Sequence, residues 1–266
     1  MPVRAGGSRS IGEQAAVTSI SSDKAALMTQ AALRIATWAT QAIEARDRFT
    51  VVLSGGSTPR ELYALLASDE FVSKIDWSRA DFFWGDERCV PPEHPDSNYR
   101  MGREALLDPI RAEPAHVHRM HGEELPERAA AAYEEHLHRF FGIAPGGASP
   151  RFDIVLLGMG ADGHTASLFP GTPALEEVER WVVPNRAEPS GMPRLTLTFP
   201  VLNEAANVLF LVAGADKAER VKQVLEHTPG ARPDAGALPA SKIRPTHGQV
   251  EWMLDSAAAS RLETVR

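Results

Sequence analysis

Two hydrophobic periods alternate along this chain. Between residues 23 and 46, Leu27, Ala31, Ile35, Trp38, Ala42 and Ala45 recur at the spacing of one helix face. The β-branched run from Phe49 to Leu53 then predicts a short buried strand, and a Ser-Gly-Gly-Ser-Thr-Pro turn closes it at 54–59. Residues 61–66 return to helical character. The alternation repeats: 81–84, 152–157 and 208–212 predict strands, while 98–107, 127–140 and 217–225 predict helices. A Pro-rich loop at 91–96 and a linker at 142–150 separate them. Strands followed by loops and helices predict an α/β fold, a parallel sheet with helices on both faces. No internal repeat and no clear linker divides the chain. The loose stretch at 230–236 has too little sequence after it to form a second unit. The expectation is a disordered segment at 1–18 and a single domain over 19–266.

In such folds ligands bind at the carboxyl ends of the strands, near a switch in strand order. The loops after Leu53, Trp84, Leu157 and Val212 are therefore expected to converge. A hydrophobic fraction of 43% over 266 residues is enough for a substantial core. The net charge of −7, from 35 acidic and 28 basic residues, counts against a nucleic-acid partner. It leaves room for a small anionic substrate, which needs only a few placed cations. Cys89 is the single cysteine, so no internal disulfide forms. Residues 1–12 lack the apolar run of a signal peptide, and no stretch reaches the roughly 20 apolar residues that cross a bilayer. A cytoplasmic protein with no membrane partner is expected, as monomer or small homo-oligomer.

The strand-end loops hold the unusual chemistry. Gly55 and Gly56 expose backbone N–H groups before a helix, a setting that suits phosphate. Ser57 and Thr58 add hydroxyls and Arg60 a charge; an ordinary capped turn is the plain alternative. Gly158-Met-Gly-Ala-Asp-Gly163 imitates a dinucleotide fingerprint, but His164 follows at once and no downstream ribose acid is evident. Asp162-Gly-His164 instead places a histidine at a strand end with a carboxylate two residues away, a candidate general base. Asp86, Glu87 and Arg88 crowd one loop, either as a surface ion-pair network or as an arginine oriented toward an anion. Lys217, just after the 208–212 strand, is a similar cation. His136 and His138 lack the further Cys or His partners of a metal site.

Together these segments resemble the bacterial glucosamine-6-phosphate isomerase/6-phosphogluconolactonase family, on its lactonase side. The resemblance rests on Leu53-Ser-Gly-Gly-Ser-Thr-Pro59, Trp84-Gly-Asp-Glu-Arg88 with Asp96-Ser-Asn-Tyr-Arg100, and Gly158-Met-Gly-Ala-Asp-Gly-His-Thr-Ala-Ser-Leu-Phe-Pro170. It continues through Arg194-Leu-Thr-Leu-Thr198, Gly214-Ala-Asp-Lys217 and Leu238-Pro-Ala-Ser241, and spans nearly all of the chain after residue 20. It implies a Rossmann-like fold shared with sugar-phosphate isomerases and deaminases, a sugar-phosphate lactone as substrate, and neither metal nor organic cofactor. The family's catalytic histidine falls on His164. Sugar-phosphate contacts fall on Gly55 to Thr58, Arg194 and Lys217, with Arg88 facing the substrate. Two rivals stay open: an isomerase or deaminase on the same fold, and a non-catalytic sugar-phosphate sensor.

Overall fold

The computed structural model describes residues 17–187, 191–226 and 238–263. The chain opens with strand β1 (Val17–Ser21) and helix α1 (Lys24–Arg46). Asp23 starts the helix by accepting from Ala26 N at 2.9 Å, and Asp47 ends it in the left-handed region at φ 56°. Strand β2 (Phe49–Leu53), helix α2 (Ser57–Leu66), strand β3 (Ala80–Trp84) and the short strand β4 (Asp86–Arg88) follow. Next come α3 (Asn98–Gly102), β5 (Val117–His118), α4 (Pro126–Phe141) and β6 (Ile154–Leu157). The chain continues through β7 (Val182–Arg186), β8 (Pro193–Leu197), α5 (Phe199–Leu202), β9 (Asn207–Val212), α6 (Ala218–Leu225) and β10 (Gln249–Asp255).

Seven strands form one sheet in the order β1-β10-β9-β6-β2-β3-β5, and every neighbouring pair is parallel. Successive side chains point to opposite faces, and both faces are buried, which is why these strands read as unbroken apolar runs. Phe49, Phe82, Ile154 and Leu209 pack under α1 and α2 with Leu27, Ile35, Trp38 and Leu62. Val52, Phe83, Val155, Phe210 and Trp252 face the other way, under α4, α6 and a second sheet. That second sheet is antiparallel, in the order β4-β8-β7.

The expected parallel sheet with helices on both faces is present. Several boundaries differ, for physical reasons. Val17 and Thr18 lie inside β1, where they pair with Glu251 and Trp252 of β10. They therefore do not belong to a disordered tail; the rest of that segment, 1–16, lies outside the described residues, as do 230–236. α2 begins inside the glycine turn, at Ser57 rather than residue 61. β6 begins at Ile154 because the Asp153 carboxylate takes the Thr50 N–H and hydroxyl of β2, at 2.8 and 2.9 Å. The helix expected over 98–107 is α3 followed by a wider turn at Arg103–Leu107. The antiparallel sheet and strands β1, β5 and β10 were not anticipated.

The outer edge of the large sheet is held by a polar chain. Asp81 Oδ1 lies 3.0 Å from both His116 Nδ1 and His118 Nε2. His118 Nδ1 lies 2.9 Å from His136 Nε2 on α4. Tyr133, also on α4, donates to His118 O at 3.0 Å and accepts from Trp84 N at 3.2 Å. Burial pushes the Asp81 carboxyl up, but the hydrogen bonds and charges of His118 and His116 outweigh it and hold the pKa below the ordinary carboxylate value. A depressed carboxyl stabilises the fold above its unfolded pKa and loses that contribution as pH falls through the folded one. Asp81→Asn is therefore expected to cost about 1–3 kcal/mol at neutral pH. The gap to the parent closes as pH falls below about 4. Urea midpoints at pH 7 and pH 3 measure it, and a gap that is equal at both pH values contradicts the assignment.

Candidate active site

The order of the large sheet reverses between β2 and β6, since β3 lies on one side of β2 and β6 on the other. A crevice opens there at the carboxyl ends of the strands. It forms a cavity of about 340 Å³, lined by the loops after β2, β3, β6 and β9. These are the four loops expected to converge.

The loop after β2 is shaped by close approach. A Cβ on Gly55 would fall 1.9 Å from Asn98 Oδ1, so only glycine fits beneath that side chain. Gly56 sits at φ +108°, where glycine alone is unstrained, and no side chain caps α2 behind it. The first N–H groups of α2 are left for whatever the cavity holds. Tyr63 fixes the loop from below: its hydroxyl accepts from Ser54 N at 2.8 Å and donates to Ser54 O at 2.9 Å. Gly55, Gly56, Ser57 and Thr58 all line the cavity.

The loop after β6 folds back on itself. Gly160 N donates to His164 O at 2.9 Å, and Gly163 N donates to Gly160 O at 3.0 Å. The turn sets Asp162 and His164 side by side, with Oδ1 2.5 Å from Nδ1. A Cβ on Gly160 would lie 2.2 Å from the imidazole and 2.6 Å from the carboxylate, so this pair requires glycine there. Phe169 packs on the other side of the ring, 4.7 Å between centroids. His164 lines the cavity and Asp162 does not; it stands behind the imidazole. Burial pushes the Asp162 carboxyl up, yet the charge of His164 and its hydrogen bonds prevail and hold the pKa below its ordinary value.

Cations converge from two other elements. In the second sheet Arg88 and Arg194 occupy directly opposed positions. Like charges so placed repel. Neither arginine has an ion-pair partner among the described residues. Arg88 Nη1 donates to Asp96 O at 2.6 Å while its Nε is buried without a partner. Arg194 Nη1 has only the Met192 sulfur, at 3.6 Å. Burial and then the charge of Arg88 draw the Arg194 guanidinium below its ordinary pKa. Lys217 reaches the cavity after β9, its Nζ 3.1 Å from the exposed Asp216. Three cations and one carboxylate, Asp86, thus share the cavity with His164, an excess of positive charge that favours an anionic ligand.

One expected contact is absent. Arg60 is exposed and is not among the lining residues. It lies in the first turn of α2, where each residue climbs about 1.5 Å along the axis away from the loop, and its charge is felt by Glu104 instead. Asp86, Asn98, Ser167 and Phe169 line the cavity without having been assigned to it from sequence. Their motif segments had been singled out, but no pattern marked these side chains within them. Ala166 also lines it, at φ 47°, a conformation nothing in the sequence announces. Burial and then the charge of Glu87 push the Cys89 thiol up to about 11. His136 is engaged by His118, and the His138 ring packs tilted on Trp181, 3.8 Å between centroids. Among the described residues no group of three or more His, Cys, Asp or Glu is placed to hold a metal ion. No described helix is long and apolar enough to cross a membrane.

Comparison with known proteins places this cavity in context. The profile of the family described as glucosamine-6-phosphate isomerases/6-phosphogluconolactonase matches residues 22–252. The 6-phosphogluconolactonase of Nostoc sp. is 43% identical over 241 residues, 90% of this chain and 95% of that protein. The corresponding protein of Synechocystis sp. is 42% identical over the same shares. Among solved structures, 6-phosphogluconolactonase from Trypanosoma brucei superposes with a TM-score of 0.82 at 30% identity, covering 93% of this chain and 98% of that one.

The pairing of Asp162 with His164 has a direct test. In His164→Ala the opposing charge and the imidazole hydrogen bond both go, and the Asp162 carboxyl is expected to titrate upward from its lowered value. Carboxyl carbon NMR follows it, and an unmoved titration would mean that the imidazole does not hold the carboxylate.

Proposed function

The chain belongs to the glucosamine-6-phosphate isomerase/6-phosphogluconolactonase family, and from that premise we propose that it is a cytoplasmic hydrolase. Its substrate is 6-phospho-D-glucono-1,5-lactone and its product 6-phospho-D-gluconate, a step of the oxidative pentose phosphate pathway. The observation that carries this reading is the facing of His164 and the Arg88, Arg194 and Lys217 cations into one cavity of about 340 Å³. That volume suits a phosphorylated six-membered ring, at the small end of ligand pockets. The lactonase names of the Nostoc and Synechocystis relatives favour this branch of the family over the deaminases.

A δ-lactone is an activated ester, so the enzyme needs a placed water, a base and a home for the oxyanion. The Asp162 carboxylate accepts from Nδ1–H of His164, which leaves Nε2 as the basic nitrogen. Nε2 takes a proton from water as its oxygen bonds to the lactone carbonyl carbon. Arg88, the cation not engaged by the phosphate, stabilises the developing oxyanion. The tetrahedral intermediate then collapses, the bond from that carbon to the ring oxygen breaks, and protonated His164 returns its proton to the leaving oxygen. The glycine loop at the α2 N-terminus, Arg194 and Lys217 hold the phosphate and fix the ring for attack.

The test is turnover of freshly generated lactone in chelator-treated buffer, followed by coupled oxidation of the product. His164→Ala is expected to lower kcat by about a hundredfold or more with little change in KM. A fall of under threefold removes the base assignment. Arg194→Ala and Lys217→Ala are expected instead to raise KM for the phosphorylated lactone and to leave unphosphorylated gluconolactone unaffected. Equal effects on both substrates rule out the phosphate clamp.

A further inference from the structure

One buried side chain at the floor of the cavity has an unspent acceptor. Asn98 is the first residue of α3 and is 2% exposed. Its backbone N–H is fixed by Glu87 Oε1 at 2.7 Å. Its side-chain Nδ2 lies 2.9 Å from Asp86 O and 3.2 Å from Asp86 Oδ1. A carbonyl and a carboxylate only accept, so the amide orientation is determined: the NH₂ must face Asp86 and Oδ1 must face away from it. Asp86 is itself held, its Oδ2 accepting from Ser167 Oγ at 2.6 Å. Asn98 Oδ1 then lies over Gly55, so close that no Cβ fits between them. No described donor reaches this oxygen, yet the residue lines the cavity.

The oxygen is not sealed in the protein but opens to the cavity, so a ligand that displaces solvent from it must supply a donor or leave a rigidly aimed acceptor unpaired. Phosphate and lactone carbonyl offer only acceptors, so neither satisfies it. The remaining donors on a ligand of the class proposed above are its ring hydroxyls. We propose that Asn98 is a specificity-determining residue whose Oδ1 accepts a hydrogen bond from a ring hydroxyl of the sugar lactone, with Asp86 as the residue that positions it. The glycine at 55 is then required twice, for the exposed N–H groups and for the space that Oδ1 occupies. The inference rests on the lactonase reading and adds the feature by which the site separates a polyhydroxylated ring from a deoxygenated one. A site built to hydrogen-bond a hydroxyl discriminates sharply against the analogue that lacks it, because its own polar group is then left unpaired.

The experiment compares kcat/KM for the lactones made from glucose 6-phosphate and from its 2-, 3- and 4-deoxy analogues, in the parent chain and in Asn98→Ala. In the parent, one of the three deoxy lactones is expected to fall by about tenfold to a hundredfold. In Asn98→Ala that same analogue and the full substrate should be turned over within about threefold of each other. If all three deoxy lactones match the full substrate in the parent, or if a folded Asn98→Ala keeps the discrimination, the inference is overturned while the lactonase reading stands. If the parent does not accelerate opening of the full lactone, the lactonase reading falls and the inference with it. Where Asn98→Ala fails to fold, Asn98→Ser carries the same comparison, and full discrimination kept in it overturns the inference.

Discussion

Seven parallel strands buried on both faces force the polar chemistry of this chain to one rim of the sheet. The largely apolar runs of Phe49 to Leu53, Phe82 to Trp84 and Ile154 to Leu157 fill the space between the layers. Every strand of the sheet ends on the same side, and each next helix must start from there. The reversal between β2 and β6 parts two of these loops and opens the crevice. The glycines, the histidine and the cations therefore meet because of strand direction, although they come from four distant stretches of the sequence.

The site is electrostatically unfinished, and the second sheet is what keeps it so. An antiparallel register that opposes Arg88 to Arg194 would be relieved by shifting either strand, yet it is locked elsewhere. Leu197 N donates to Gly85 O at 2.8 Å, Cys89 N donates to Pro193 O at 3.0 Å, and Leu195 and Leu197 are fully buried. Burial of the leucines outweighs the repulsion of two half-exposed cations, since each fully buried side chain contributes about 1.5–3 kcal/mol. An anion bound between them removes the repulsion, so the ligand and the register stabilise each other. The Asp162–His164 pair, by contrast, is complete in itself, and its geometry is set by the space left at Gly160 rather than by anything bound.

Much of this was legible in the sequence because the informative features are local. A glycine turn after an apolar run and a histidine two residues from a carboxylate announce themselves within a few positions. That is why the Gly55 to Thr58 loop, His164 and Lys217, which line the cavity, stand out in the sequence, whereas Arg194, which also lines it, stands out only through the family resemblance. What escaped is non-local. β5 is only two residues long, and β4 consists wholly of charged residues, so neither has a hydrophobic period to detect. Arg60 stands out in the sequence because it adjoins the glycine loop, but the helix lifts it away from the cavity. Asn98 reads in the sequence only as the start of a helix, which it is, but its side chain lies against Gly55, 43 positions away in the chain, through a hydrogen bond to Asp86 that no spacing rule contains.

The three residues of β4 show how a cluster of charges acquires separate tasks. Successive side chains of a strand alternate between faces. Asp86 and Arg88 consequently both line the cavity, one holding Asn98 and Ser167 and the other facing Arg194. Glu87 between them turns the opposite way and is buried at the start of α3, where it accepts from Asn98 N at 2.7 Å, Tyr99 N at 2.8 Å and Ser97 Oγ at 3.1 Å. Burial pushes the Glu87 carboxyl up against the pull of these N–H donors. Because Glu87 anchors the helix that carries Asn98, and Asp86 orients the Asn98 amide, the two acids act on the same residue from opposite faces of one strand. The charge-dense stretch that resembles a surface ion-pair network in the sequence is thus a bracket: its first and third residues face the cavity, and its middle residue holds the element that carries Asn98.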